Sequence, residues 1–549
     1  MSPAWRCGTL RALQALTSKL ARFHRPLLAV VAGLLLAAAF PRPGVAGLAW
    51  IAPGLLLFLA RGQSGKSAFR LGYLGGLAFN LTALYWLLYM PVAIAPIFAW
   101  LALSAYCALY PALWVWLCWR LHPAAPTDLA GEGWTQRAAW ALLCAALWVA
   151  LEFILGRLLT GFPWLVLGVS QYRMLPVLQI ASVTGVAGVS FLAVWFSVSL
   201  ANALLCLAQQ PTRRWLLWRE ILPVATVLVG VVAWGAGRCG REVPAARELK
   251  IALIQPSIPQ TLIWNPAENT NRFQQLLALS RTALEEKPDV LVWPEAAVPG
   301  YLRYDAFVRN AVTGLAREHR VTMIIGADDA EPRAGGGEQA DYFNASFLIA
   351  PDGKVEERYV KRRLVIFGEY VPLARWLPFL RKFTPIQGGF TAGDRAVPFK
   401  LDEPRVQTAV LICFEDAFAD LARDAAVPAT DFLVNLTNDG WFRESAAHWQ
   451  HAAHSVLRAV ENGLPVVRCA NNGLTCWVDV RGRMHEVHFP GSTDIYRAGF
   501  KTARLPLPAV NGERELTFYH RHGEWFAMTC LLVAAAALAR SVRQRRRAA

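Results

Sequence analysis

Two kinds of hydrophobic pattern alternate along these 549 residues. Early in the chain, long apolar runs follow one another with little polar interruption. They lie at 26–40, 44–60, 68–89, 92–119, 138–156, 177–208 and 216–237, and one more comes late, at 525–539. A helix that spans a bilayer needs about 20 mostly apolar residues, so the pattern predicts eight membrane-spanning helices. The first, second and last runs are short and rely on flanking residues to reach the interfaces. The first follows Arg22 and Arg25 in the manner of a signal peptide, yet Pro41-Arg42-Pro43 and another apolar run come at once, which reads as a retained span. The last begins at Trp525-Phe526 and ends at Arg540, an aromatic and a cationic anchor.

Between the seventh and eighth runs the pattern changes. Short β-rich stretches recur at 250–255, 290–293, 322–326, 345–350, 408–413, 432–436 and 465–468. Amphipathic helical stretches lie among them at 268–287, 304–319 and 445–461, and Pro351-Asp352-Gly353-Lys354 is a hairpin turn. Strands alternating with helices predict a layered α/β domain. The chain therefore divides into a transmembrane part of about seven helices at 1–240, an α/β domain at 245–510, and an eighth helix with a basic tail at 520–549.

Composition agrees: only 17% of residues are charged, against about 25% in soluble domains. The net charge of +16 raises the question of nucleic acid, but the cations sit elsewhere. Arg6, Arg11, Lys19, Arg22 and Arg25 precede the first run; Arg61 and Lys66 follow the second; Arg120 and Arg137 flank the next basic loop. Arg213, Arg214 and Arg219 precede the seventh run, and Arg543, Arg545, Arg546 and Arg547 end the chain, whereas the alternate loops hold only Arg42, Arg157 and Arg173. The positive-inside rule then places both termini in the cytoplasm and the α/β domain outside, and no nucleic acid is needed to account for the charge. Of ten cysteines, Cys7, Cys107, Cys118, Cys144, Cys206 and Cys530 lie in or beside apolar runs and read as small apolar residues. No Cys/His cluster has zinc spacing and no glycine-rich phosphate loop occurs, so no metal or cofactor is expected. Cys469 and Cys476 are either a disulfide pair or two core thiols.

Three predicted strand ends carry chemistry. Val290-Leu291-Val292-Trp293-Pro294 runs into Glu295. Tyr359-Val360 runs into Lys361, with Arg362 and Arg363 behind it and Glu369 close by. Ala409-Val410-Leu411-Ile412 runs into Cys413, followed by Phe414, Glu415 and Asp416. Each has an ordinary explanation when taken alone: a loop acid, a solvated basic run, a buried structural thiol. Together they supply a nucleophile, a base and a cation. A carboxylate can take the proton of an attacking thiol. A lysine and the backbone N–H after the nucleophile can hold the oxyanion, each such donor being worth roughly 3–4 kcal/mol of barrier.

This set, in this chain order, resembles the nitrilase or carbon–nitrogen hydrolase superfamily. The resemblance implies a four-layer αββα sandwich and a catalytic triad at Glu295, Lys361 and Cys413. With eight spans, and the α/β domain set before the last, the whole chain resembles the bacterial apolipoprotein N-acyltransferases. Local stretches match that family: Ile254-Gln255-Pro256-Ser257-Ile258-Pro259-Gln260 leading to Trp264, Lys361 through Tyr370, Asn435 through Phe442, and Asn471-Asn472-Gly473. It departs at Phe414, where tyrosine is common, at Ile366, where proline is common, and at 445–451, which lacks a Gly-Pro before Gln450-His451. The resemblance implies that Glu369 orients Lys361 or the incoming amine, that Glu415 supports the nucleophile, and that Trp264 and Trp441 line the acyl entry. It also implies the reaction: an acyl chain passes from a membrane phospholipid, phosphatidylethanolamine, through a Cys413 thioester, to the α-amine of S-diacylglyceryl-cysteine on an apolipoprotein. The setting would be the outer face of the bacterial cytoplasmic (inner) membrane, with the apolar stretch 373–380 either dipping into the interface or packed in the core. The alternatives are a membrane-tethered amidase or nitrilase that hydrolyses C–N bonds, and a non-enzymatic scaffold that binds lipoproteins.

Overall fold

Backbone pairing brings the β-rich stretches into two sheets. The computed structural model describes residues 24–122, 133–209, 215–242, 245–333, 340–372, 376, 389–509 and 516–548. Its twelve strands are β1 (Arg247–Gln255), β2 (Val290–Val292), β3 (Thr322–Pro332), β4 (Ala340–Ile349), β5 (Val355–Val360), β6 (Pro398–Leu401), β7 (Val406–Ile412), β8 (Phe432–Thr437), β9 (Val466–Ala470), β10 (Cys476–Val478), β11 (Met484–His485) and β12 (Gly499–Leu507). One sheet runs β12-β1-β2-β3-β4-β5 and the other β11-β10-β9-β8-β7-β6. The hairpin expected at 351–354 joins β4 to β5.

Strand side chains alternate between faces, and that alternation builds the layers. Leu249, Ile251, Leu253, Val290, Val292, Ile324 and Leu348 meet Val410, Ile412, Phe432, Val434, Leu436 and Val467 in a core between the sheets. Their neighbours Ala252, Ile254, Leu291, Met323, Ile325 and Phe347 face the helices Asn269–Leu284 and Ala306–His319. The outer face of the second sheet, through Ala409, Leu411 and Leu433, takes the helix Ala447–Asn462. The result is the expected αββα sandwich. Cys469 and Cys476 are buried, unpaired thiols. The Cys469 thiol points at the carbonyls of Ile254 and Val292, both at 3.3 Å.

The eight expected spans are met in part. Among the described residues, five helices are long and apolar enough to cross a membrane: Ala95–Arg120, Trp134–Leu155, Val186–Gln209, Leu217–Gly240 and Trp525–Arg547. His24–Ala39 is a shorter apolar helix. The run at 44–60 divides into a 3₁₀ turn, Ala46–Trp50, and a helix, Ala52–Leu59, with Pro53 in its first turn. The run at 177–208 breaks at Gly185, whose φ of +67° suits glycine and whose missing side chain makes room for the Tyr519 ring. Gly65–Ala83 is long enough, but Lys66, Arg70 and Asn80 dilute its apolar character. Its Gly72 and Gly76 lie against the backbone of Pro111, Ala112 and Ala108 in the next helix, the close approach that small residues allow between membrane helices. Apart from Trp376, which is exposed, the segment 373–380 lies outside the described residues, as do Arg6, Arg11, Lys19, Arg22, Arg213 and Arg214.

The helix Ala447–Asn462 reads in sequence as amphipathic, yet every residue in it except Trp449 is buried. It is pressed between the second sheet and the apolar helices, so its polar face meets protein. Gln450 uses both ends of its amide there. Its Oε1 accepts from Trp86 Nε1 (3.0 Å) and Trp164 Nε1 (2.9 Å), and its Nε2 donates to the carbonyls of Pro41 (2.8 Å) and Ala83 (3.1 Å). Further along, Glu461 Oε1 accepts from the Val186 amide at 2.8 Å, and His454 Nε2 donates to the Trp164 carbonyl at 3.1 Å. A Gln450→Leu substitution leaves two indole N–H groups and two carbonyls buried without this partner. It should destabilise the protein by about 2–4 kcal/mol, read as a lowered thermal unfolding midpoint in detergent.

Candidate active site

The three strand ends singled out in the sequence come to one place. Glu295 follows β2, Lys361 follows β5, and Cys413 follows β7. Lys361 is 1% exposed and Glu295 8%. The Lys361 ammonium lies 3.2 Å from Glu295 Oε1 and 2.7 Å from Glu369 Oε1. Asn344 of β4 ties the same two acids together, its Nδ2 donating at 2.8 Å to Glu295 and 3.0 Å to Glu369. The remaining oxygens are held by backbone: Asn438 N donates to Glu295 Oε2 at 2.9 Å and Val365 N to Glu369 Oε2 at 2.8 Å. Burial by itself pulls the Lys361 pKa down, but the two carboxylates outweigh it and hold the value well above that of a free lysine. The cation is therefore permanent.

Cys413 has a left-handed backbone, φ +53°, at the turn where β7 passes into the 3₁₀ segment Cys413–Ala417. Such a conformation in a non-glycine residue costs on the order of 1–3 kcal/mol and persists only where neighbours enforce it. Its carbonyl accepts from Asn435 Nδ2 at 2.9 Å and His451 Nε2 at 3.1 Å. Glu415 staples the same turn: it accepts from the amides of Ile412 (2.7 Å), Arg362 (2.6 Å) and Arg363 (3.0 Å) and from the Tyr359 hydroxyl (2.8 Å). Ala296 and Phe367, beside the two acids, also have positive φ. Burial pushes the Cys413 thiol well up and the Glu295 charge adds to this, while the Lys361 ammonium opposes it. The sulfur rests as a thiol, so a nucleophilic role would require a base to take its proton.

Phe414 turns away from the pocket into an aromatic cluster with Phe418, Trp164 and Phe162, at ring-centroid distances of 5.0, 5.8 and 5.9 Å. Trp264 and Trp441 meet edge to face at 5.0 Å. Trp264 is 42% exposed, and the segments that carry the two rings are joined by Asn438, whose Nδ2 reaches Gln260 Oε1 at 2.9 Å. Among the described residues no three metal-ligating side chains converge on a point that could hold an ion.

The sequence divides between two known families of domain. Residues 32–199 match the apolipoprotein N-acyltransferase N-terminal domain, and residues 250–496 match the carbon–nitrogen hydrolase domain. An apolipoprotein N-acyltransferase from Geobacter metallireducens is 37% identical over 94% of this chain and 95% of its own length. One from Vibrio cholerae is 32% identical over 84% of this chain and 88% of its own, and one from Allorhizobium ampelinum 31% over 95% and 97%. The chain belongs to the apolipoprotein N-acyltransferase family. It is accordingly an acyltransferase and a membrane protein, and the sandwich is the carbon–nitrogen hydrolase domain of this N-acyltransferase.

Behind Cys413 of this N-acyltransferase lies a charge cluster that no local sequence pattern announces. His451 donates to Asp439 at 2.7 Å and lies 3.0 Å from Asp416 Oδ1. Arg468 reaches Asp416 at 2.7 Å, Asn435 at 3.0 Å, Ser455 at 2.8 Å and Asp439 at 3.4 Å. Two acids and two cations thus balance, all almost wholly buried. Both His451 nitrogens face acceptors, which requires the doubly protonated ring. Burial disfavours that charge, but Asp439 and Asp416 outweigh it and raise the pKa to about 9. The same partners overcome burial to hold both carboxyls below their usual range. Asn344 also escaped the sequence reading; its only signal is an amide at the head of the apolar stretch 345–350.

Two outcomes follow from this geometry. A Cβ at position 326 would sit 2.2 Å from the Pro294 carbonyl oxygen and 2.7 Å from the Glu295 Cα. Gly326→Ala should therefore lower kcat at least tenfold through displacement of Glu295, with a smaller effect on the unfolding midpoint; misplacements of this kind cost up to about 10²-fold. For His451, the folded pKa exceeds the unfolded value of about 6.5, so its stabilisation is complete below that pH and is lost as pH rises through the folded value. The wild-type unfolding midpoint should fall between roughly pH 7 and pH 10. His451→Gln should flatten that limb and lower stability at neutral pH by about 3–5 kcal/mol.

Proposed function

We propose that the enzyme moves an acyl chain in two steps through Cys413. Glu295 takes the thiol proton as the sulfur attacks an ester carbonyl of a membrane phospholipid, with phosphatidylethanolamine as donor. The Lys361 ammonium and the Phe414 backbone N–H hold the oxyanion. The C–O bond breaks, Glu295 returns the proton to the leaving alkoxide, and a lysophospholipid departs from the thioester. The α-amine of an S-diacylglyceryl-cysteine at the N-terminus of an apolipoprotein then attacks. A C–N bond forms, the C–S bond breaks, and Glu295 carries the amine proton to the departing thiolate. Glu369 keeps Lys361 in position, Glu415 holds the nucleophile turn, and Trp264 with Trp441 lines the acyl entry.

One observation carries this reading: a buried ammonium shared by two carboxylates, with a strained, protonated thiol close enough for both Glu295 and Lys361 to act on its titration. The apolar helices fit lipid substrates, since drawing a chain into water costs about 0.8 kcal/mol per CH₂. The orientation follows from the basic residues: both termini in the cytoplasm and the sandwich at the outer surface of the cytoplasmic membrane, with His24–Ala39, the segment 46–59 and Gly65–Ala83 completing an eight-segment bundle with the five long helices.

Intact-mass analysis of the purified protein with phospholipid tests the reading. The expected result is an acyl adduct on Cys413 that a diacylglyceryl-cysteine peptide discharges with formation of the N-acyl product. Cys413→Ala should form no adduct, and Glu295→Gln should acylate at least about 10²-fold more slowly. Peptide acylation without any adduct would refute the two-step route. Discharge by water as fast as by the peptide would favour a hydrolase.

A further inference from the structure

Asp328 of β3 stands directly opposite Asn344 of β4 in the antiparallel register. Residues so opposed share one face of the sheet, with Cβ atoms about 4.5–5.5 Å apart. The face is the inner one, which Ile324 and Leu348 enter between the sheets, and it ends at the pocket where Asn344 binds Glu295 and Glu369. The next residue, Asp329, turns to the other face, where Arg303 (2.7 Å) and Arg358 pair with it. Asp328 has no hydrogen-bond or ion-pair partner among the described residues, and it is partly open rather than sealed in the core.

Two unsatisfied acceptors therefore share this face. Asn344 is 4% exposed, its Nδ2 is committed to the two glutamates, and its Oδ1 is buried with no partner. That assignment of the amide is required by the two carboxylates it faces. The groups whose charges bear on Asp328 are Glu295, Glu369, Arg272 of the Asn269–Leu284 helix, and Lys361, with the Tyr301 hydroxyl also within its field. Three acids thus surround one lysine, and Arg272 is turned toward Asn269, its Nη2 donating there at 2.9 Å. Among the described residues, neither Lys361 nor Arg272 donates to Asp328 or to the Asn344 amide oxygen. An ammonium fits, and an α-ammonium is what the acyl acceptor must bring.

We propose that Asp328, with the Asn344 amide oxygen, receives the α-ammonium of the acceptor and removes the proton it must lose before attacking the thioester. The assignment rests on the two-step reading above. The proton passes from nitrogen to the Asp328 carboxylate, which leaves a neutral amine. The amine forms its C–N bond to the acyl carbonyl and the C–S bond breaks. The second amine proton returns through Glu295 to the Cys413 thiolate, and Asp328 releases its own to water. Titration supports the role: burial, then the charges of Glu295 and Glu369, raise Asp328 to about 7, close to the roughly 7.7–8.0 of an α-amine. Proton transfer between groups so matched is nearly thermoneutral.

The test loads the full-length wild-type enzyme with phospholipid, then mixes it with a diacylglyceryl-cysteine peptide and follows the Cys413 adduct by intact mass. In Asp328→Asn, discharge should slow by about 10²-fold near neutral pH, while the rate of adduct formation changes by less than about twofold. The wild-type discharge rate should rise with pH through about 7; in Asp328→Asn the inflection should move up to that of the amine itself. Asp328→Glu should recover part of the rate. Unchanged discharge and an unchanged pH profile in Asp328→Asn would overturn the assignment alone, as would an equal loss in both half-reactions, which marks a structural role. A wild-type enzyme that forms no adduct would overturn the two-step reading and this assignment together.

Discussion

The Lys361 ammonium is the charge around which the pocket is arranged. An amine taken out of water so completely is tolerable only where opposite charge and hydrogen bonds surround it. Glu295 and Glu369 supply the charge, Asn344 bridges them, and the Asn438 and Val365 amides fix their outer oxygens. These groups come from separate strand ends and loops, so the ion cluster is also the joint that draws those segments together. Two acids to one lysine leave an excess of negative charge. Burial first, and then the Glu295 charge, keep the neighbouring Cys413 thiol protonated against the pull of Lys361.

A second charge cluster lies on the far side of Cys413 and has a different part. Asp416, Asp439, His451 and Arg468 are neutral as a set and face the carbonyl side of Cys413. They hold the turn in its left-handed conformation, while Glu415, in the turn itself, ties it to the Arg362 and Arg363 amides just past β5. From that turn, Phe414 leads into Phe162 and Trp164, and Trp164 shares Gln450 with Trp86. The conformation of the reactive residue is thus continuous with packing among the apolar helices.

Much of this was legible in the sequence, for identifiable reasons. Glu295, Lys361 and Cys413 each end a run destined for strand, so pattern and chemistry coincide at the same residue. The central strands were visible because both their faces are covered and they read as unbroken apolar runs. β12, with Lys501 and Arg504, was not, because it lies at a sheet edge where charge is tolerated, and of β5, with its two glutamates and an arginine, only the end at Tyr359-Val360 shows. Asn344 and Asp328 depend on register between two strands, which no local pattern reveals. Five of the eight apolar runs hold long apolar helices; run length does not weigh the division of 44–60 before Ala52 or the polar Lys66, Arg70 and Asn80 in Gly65–Ala83. The helix Ala447–Asn462 was recognised as a helix, but an amphipathic pattern does not say whether its polar face meets water or other protein.

The burial of that helix on both sides bears on how reactants arrive. A domain carried on a loose stalk can tilt and dip toward whatever it modifies. Here a hinge between sandwich and bundle would have to open four hydrogen bonds at Gln450 alone. The sulfur consequently keeps a set height and bearing over the apolar helices, like a fixed tool on a bench. Encounter is then left to the lateral drift of greasy molecules, and selectivity begins with which of them can present a carbonyl, or an amine, at that one elevation.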